Sequence, residues 1–190
     1  MEAVIVAEHG DTPARRLRRT LSALEGGRLE LAERFLAEAA ADGDSDLQLV
    51  LASGRAALVR GEGDQALGSA REVLGSPSAG LDERLGALEL EGRAFDFRGD
   101  RSAARAAWER QAREAATAGR VQAELRAVVQ LGRLELVTGE PANRLREAVS
   151  LARAAGARRA TPALAPGGTG TERPVRVRHD DMSDDHQRRS

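Results

Sequence analysis

Apolar residues recur along this chain at the spacing of a helix face. Leu81, Leu85, Leu88, Gly92 and Phe95 step by four, three, four and three, and Val121, Leu125, Val128 and Gly132 repeat the first part of that series. Leu47, Val50, Leu51, Gly54 and Leu58 form another stripe, as do Leu145, Ala148, Val149 and Ala152 after Pro141. At about 3.6 residues per turn, each set lies along one side of a helix, and that side must be buried against a neighbour. Sustained period-two alternation is missing, so no sheet is predicted. Start signals precede the stripes: Thr12 before Pro13, Ser45 ahead of the third segment, and Pro141 in the first turn of the last. The pattern predicts eight helices, over 12–25, 28–41, 45–60, 63–75, 82–98, 101–118, 120–138 and 141–155. Pro77 and Gly80 separate the second pair from the third.

The segments are copies of one another. Three open with Gly-Arg and carry a second glycine seven residues on: Gly54 to Gly61, Gly92 to Gly99 and Gly132 to Gly139, at offsets of 38 and 40 residues. Gly27 matches Gly61 at an offset of 34 and marks a weaker first copy. Five residues past the second glycine stand Ala32, Ala66 and Ala104, and Arg144 in the fourth copy. The first glycine falls on the apolar stripe, where a missing side chain lets a second helix approach. The second falls where the helix ends, and glycine accepts the left-handed backbone of that position at little cost. The alanine is then expected on the next helix, facing the first glycine. The fold expected is all-α: about four antiparallel helix pairs stacked as an α-solenoid over residues 12–156, after a lead-in over 1–11. Beyond that the stripes stop. Pro162, Pro166, Pro174, a glycine-rich run and clustered charges leave 157–190 too little apolar surface to offset its ordering entropy, which predicts a disordered tail.

Composition narrows the chemistry. Hydrophobic residues make up 41% of the 190 and charged residues 31%, which suits a folded body with a solvated surface. A net charge of −1 supplies no overall field for nucleic acid or an anionic membrane, and no apolar run approaches the roughly 20 residues of a span. Neither membrane association nor direct nucleic-acid binding is expected. The stretch Met1 to His9 has no basic flank to make it a secretory signal, so a cytoplasmic location is expected. All 29 basic residues are arginine, a bias that GC-rich codons explain without any selection for phosphate contacts. Without cysteine there are no thiol nucleophiles or thiolate metal sites. Without lysine there is no phosphate-loop lysine and no Schiff base. The three histidines, His9, His179 and His186, all lie near the ends, so the helical body lacks the base of most triads.

With glycine, glycine and alanine at these spacings, the copies resemble tetratricopeptide repeats. Leu90 to Gly119 and Leu131 to Gly156 are similar to the helical-repeat region of actinobacterial LuxR-type, ATP-binding transcriptional regulators. The usual aromatics are nearly absent, Phe95 and Trp108 coming closest, and the proline that closes a repeat is missing. The resemblance implies a connector between a nucleotide-binding module and a DNA-binding helix-turn-helix. This sequence carries neither, which a truncated or frameshifted reading frame or a free-standing repeat protein would explain.

Candidate sites are few. Gly61-Glu62-Gly63-Asp64-Gln65-Ala66 fits a loose dinucleotide fingerprint, but helical spacing precedes it where a strand is required. The Pro166 to Thr171 run has the glycines of a phosphate loop without its lysine or helix. His179, Asp180, Asp181, Asp184, Asp185 and His186 have metal-ligand chemistry without a rigid support. Arg15, Arg16, Arg18 and Arg19 fill neighbouring positions that cannot all face one way, so a solvated face or a contact with another domain is expected. Trp108 is expected in the core, and Glu89 is spaced to pair with Arg93. No catalytic, cofactor or metal residues are assigned, and an enzyme is not expected. The expected function is a scaffold for protein–protein or interdomain contacts, a module or fragment of a LuxR-type regulator. Its partner would be another protein or the missing domains, with self-association through uncovered end helices. The alternative is a sensor that holds a small effector on the concave face.

Overall fold

Helix follows helix through short connections. The computed structural model describes residues 12–43 and 46–160, and among these the order is α1 (Pro13–Glu25), α2 (Leu29–Ala41), α3 (Leu47–Arg60), α4 (Gly63–Gly75), α5 (Leu81–Phe97), α6 (Arg101–Thr117), α7 (Val121–Thr138) and α8 (Asn143–Ala160). No strand occurs among the described residues, and no helix there is long and apolar enough to cross a membrane. The fold is all-α, each helix packing against the next in the chain. The odd helices α1, α3 and α5 also pack side by side, whereas the even helices make no comparable contacts with one another. They therefore form an inner layer (odd) and an outer layer (even). Expected and observed helices agree to within two residues except at the last. That helix starts at Asn143 rather than 141, with the Pro141 carbonyl accepting from the Asn143 N–H, and it continues to Ala160, past the expected end of the body at 156. The lead-in over 1–11 and the segment 161–190, with the glycine run and the His-Asp cluster, lie outside the described residues.

The glycines at helix ends explain the short connections. Gly27, Gly61, Gly99, Gly119 and Gly139 all adopt positive φ between 66° and 85°. In each case the next residue's N–H reaches back to a carbonyl of the last turn, as Glu62 does to Ala57 and Asp100 to Phe95. That closes the helix and turns the chain in one step.

Close packing rests on small side chains. More than half of the buried hydrophobic residues among those described are alanine, so helices approach tightly and few large side chains interleave. Gly54, Gly92 and Gly132 lie at the closest approaches. A β-carbon on Gly54 would sit 2.5 Å from Leu90 and 2.8 Å from Ser69; on Gly132 it would sit 2.6 Å from Leu145; on Gly92 it would enter the Trp108 indole. Ala66 and Ala104 are fully buried, but the side chains facing the glycines are these others. Ser69 and Trp108 sit about one turn further along the next helix than the expected alanines, because those helices meet near mid-length, whereas Gly132 meets Leu145 in the first turn of α8. Trp108 is fully buried in a cluster with Ala104, Leu131 and Leu134.

Candidate functional site

The inner layer opens between α5 and α7. Extended packing joins α3 to α5 but not α5 to α7, and a groove of about 620 Å³ lies there. Its walls carry Gln48 and Arg55 of α3, Asp82, Leu85, Gly86 and Glu89 of α5, and Arg120 to Arg126 leading into and along α7. Ala155 of α8 closes one side. Gly86 sets the floor: a β-carbon there would stand 3.0 Å from Leu51 and 3.6 Å from the Arg55 guanidinium. α3 and α5 therefore meet closely at this point, and the arginine head lies beside their contact.

Beyond the small apolar cluster that Leu85 and Ala123 share with Ala115 of α6, charge spans the gap. Arg120 pairs with Asp82 at 3.4 Å, Arg126 with Glu89 at 3.3 Å, and Arg133 with Asp96 at 2.5 Å. Asp82, Glu89 and Asp96 recur every seven residues, so they line one side of α5. Opposite them, Gln48 donates from Nε2 to Glu83 at 2.9 Å, tying α3 to the start of α5. That hydrogen bond, with backbone donors of the first turn, holds the Glu83 carboxyl below the usual carboxylate range.

Arg55 is the exception to this pairing. Glu89 is the carboxylate that most favours its charge, yet both Glu89 oxygens are engaged, Oε1 by Arg93 at 2.7 Å and Oε2 by Arg126 at 3.3 Å. Among the described residues no carboxylate lies within ion-pair distance of Arg55. Burial pushes its guanidinium below the usual arginine range; Glu89 opposes that, Arg93 and Arg126 reinforce it, and Glu25 contributes least. The result is a half-buried cation on the groove floor.

The other sequence candidates resolve differently. Gly61-Glu62-Gly63 joins two helices, and no strand precedes it. Gly63 is small because Phe97 lies over it, 2.9 Å from where its β-carbon would be. The fingerprint is thus a packing feature between α4 and α5. The arginines of α1 divide: Arg16 is buried and meets Asp42 at 2.8 Å, while Arg19 lies over the Phe35 ring at 3.9 Å. Arg16 therefore corrects the expectation of a wholly solvated basic face. Arg15, Arg18, Arg19 and Arg28 border a second depression. Among the described residues no three His, Cys, Asp or Glu are placed to hold a metal ion together. The groove itself was not anticipated residue by residue; its one legible trace was the seven-residue recurrence of acids on α5. No family model, curated protein or solved structure matches the chain.

Proposed function

We propose that this protein is a helical-repeat scaffold that holds a protein partner, or a neighbouring domain of a larger regulator, in the groove between α5 and α7. The observation that carries this function is the groove's composition. The amides of Gln48 and Gln122, the paired charges of Arg120 and Arg126 and the apolar side chains of Leu85 and Val121 share one groove, which suits an extended chain presenting both backbone and side chains. A module or fragment of a LuxR-type regulator is the setting we propose, supported by the similarity of Leu90–Gly119 and Leu131–Gly156 to such repeats. Self-association belongs to the same proposal, because Leu136, Val137 and Val149 are exposed apolar side chains on the last helix pair.

A small-effector sensor is the second proposal, favoured by the groove volume, which lies within the roughly 300–1,000 Å³ of small-molecule sites. Random-peptide display on the full chain, run beside a thermal-shift screen of metabolites, separates the two. Peptides that bind the parent and lose binding to Gln122→Trp, a bulky change on the exposed groove wall, support the scaffold. Stabilisation by small molecules, with no peptide selected, overturns it in favour of the sensor.

A further inference from the structure

We infer that the groove between α5 and α7 recognises an extended acidic peptide, with Arg55, Arg120 and Arg126 receiving its carboxylates. This inference rests on the scaffold function and names the chemistry of the partner. Three observations lead to it.

The first is the unmatched charge of Arg55. A guanidinium has five N–H donors and no acceptor, and those of Arg55, which lines the groove, engage no carboxylate among the described residues. Here the nearest carboxylate is already shared between Arg93 and Arg126. An incoming carboxylate would complete the set with charge-assisted hydrogen bonds. Gly86 keeps the space beside the guanidinium free of any side chain of its own.

The second is that the other two arginines can change partners. Arg120 and Arg126 are more than half exposed and meet Asp82 and Glu89 at 3.4 and 3.3 Å, longer than most ion pairs among the described residues. The Arg120–Asp82 pair is exposed on both sides and contributes little, and Glu89, largely buried, keeps Arg93 at 2.7 Å when Arg126 leaves it. A peptide carboxylate can take either guanidinium without undoing any packed contact, since α5 and α7 make no extended packing with each other.

The third is spacing. Arg120, the residue that caps α7, and Arg126 within it are six residues apart, about 9 Å at the helical rise of about 1.5 Å per residue. A chain extended in the polyproline II form advances about 3.1 Å per residue with three residues per turn, so side chains three residues apart share a face and match that distance. Acids at every third position therefore fit the arginines, while adjacent acids do not. The neutral parts of the wall, Gln48, Gln122, Leu85 and Val121, face the intervening residues.

The test is fluorescence anisotropy at low ionic strength, using the full chain and a labelled peptide with glutamate at every third position in an alanine–serine background. Comparison peptides carry glutamine at those positions, or the same number of glutamates placed consecutively. Citrate competes as the small-molecule source of carboxylates. The spaced acidic peptide should bind best, and its affinity should fall as salt rises. Arg55→Gln should weaken it about tenfold or more, the scale of a lost charge-assisted hydrogen bond. Arg71→Gln, an equal change of charge on exposed α4, should leave it unchanged. Glu89→Gln should tighten binding, because it removes the internal competitor; a purely structural role for Glu89 predicts no gain. If Arg55→Gln fails to fold by circular dichroism, the gain in Glu89→Gln decides the matter. Equal binding of the glutamine peptide, or equal loss in Arg55→Gln and Arg71→Gln, overturns the acidic preference but leaves the scaffold standing. No measurable binding of any peptide, with citrate raising the melting temperature of the full chain, overturns both.

Discussion

At the scale of single residues, the glycines separate into those that make room and those that merely occupy a helix. Gly92 faces the Trp108 indole so closely that even a methyl group cannot enter without displacing it. Gly92→Ala should cost about 1–3 kcal/mol through overpacking, despite alanine's better helix propensity. Gly68, on α4, has nothing within 4 Å of where its β-carbon would stand. Gly68→Ala should therefore stabilise by about 0.5–1 kcal/mol. Urea denaturation of both variants checks the pair, and equal effects would show that Gly92 is not a crossing point. The need for small residues at Gly54, Gly92 and Gly132 was legible in the sequence. Their partners were not, since which turn of the next helix meets each glycine depends on the crossing geometry.

Gln111 makes a second residue-scale case. It is fully buried on α6, one turn from Trp108 and one from Ala115, and neither amide atom has a hydrogen-bond partner among the described residues. A buried amide without partners costs about 1–3 kcal/mol. Gln111→Met keeps its length and flexibility, so a gain of that order is expected in the same denaturation assay. A loss would reveal a hydrogen bond that the amide needs. Nothing in the sequence marks this position, because a glutamine within an alanine-rich helix reads as surface.

At the scale of helices, the caps decide where each element begins. Thr12 accepts from the Arg15 N–H as its place before Pro13 suggested, but the third helix is capped by Asp46, whose Oδ1 accepts from Gln48 N–H at 2.8 Å. Asp46→Ala should cost about 1 kcal/mol, the usual value of a lost N-cap. The start of α8 has a less visible cap: buried Glu135 of α7 accepts from the Arg144 N–H at 2.9 Å. A cap supplied by another helix leaves no local signature, which is why Pro141 pointed two residues too early.

Asp100 at the start of α6 gives a pH-dependent test of the same idea. The Ala103 N–H and the Ser102 hydroxyl hold its carboxyl below the usual carboxylate range. A carboxyl with a lower pKa folded than unfolded adds stability that is complete at neutral pH and is lost as pH falls through the lowered value. Asp100→Asn keeps an acceptor but cannot titrate. Its melting temperature should decline less than the parent's between neutral pH and about pH 3, below the ordinary carboxylate value of about 3.9. Parallel declines would mean that the contacts from the Ala103 N–H and the Ser102 hydroxyl do not distinguish the two protonation states.

At the scale of the molecule, the layers are linked unevenly. The sequence revealed the stacking through its 34- to 40-residue periodicity, but not the gap between α5 and α7, where ion pairs span the inner layer in place of extended packing. That gap depends on the angle between successive helix pairs, which no local pattern encodes. Stability in such an array follows neighbour contacts. Helices α3 and α5, each packed against both flanking outer helices and at least one inner-layer helix, should resist amide hydrogen exchange longest, and α8, with α7 alone against it, should exchange early. Uniform protection across all eight helices would contradict this gradient.

The central claim is that the working surface is the α5–α7 groove. Amide chemical-shift mapping of the full chain during titration with the spaced acidic peptide addresses it most directly. The shifts should concentrate at Arg55, Gly86, Glu89 and Val121 to Arg126, leaving α4 and the Arg15–Arg28 depression unmoved. Shifts confined to that depression or to the outer helices would contradict the claim.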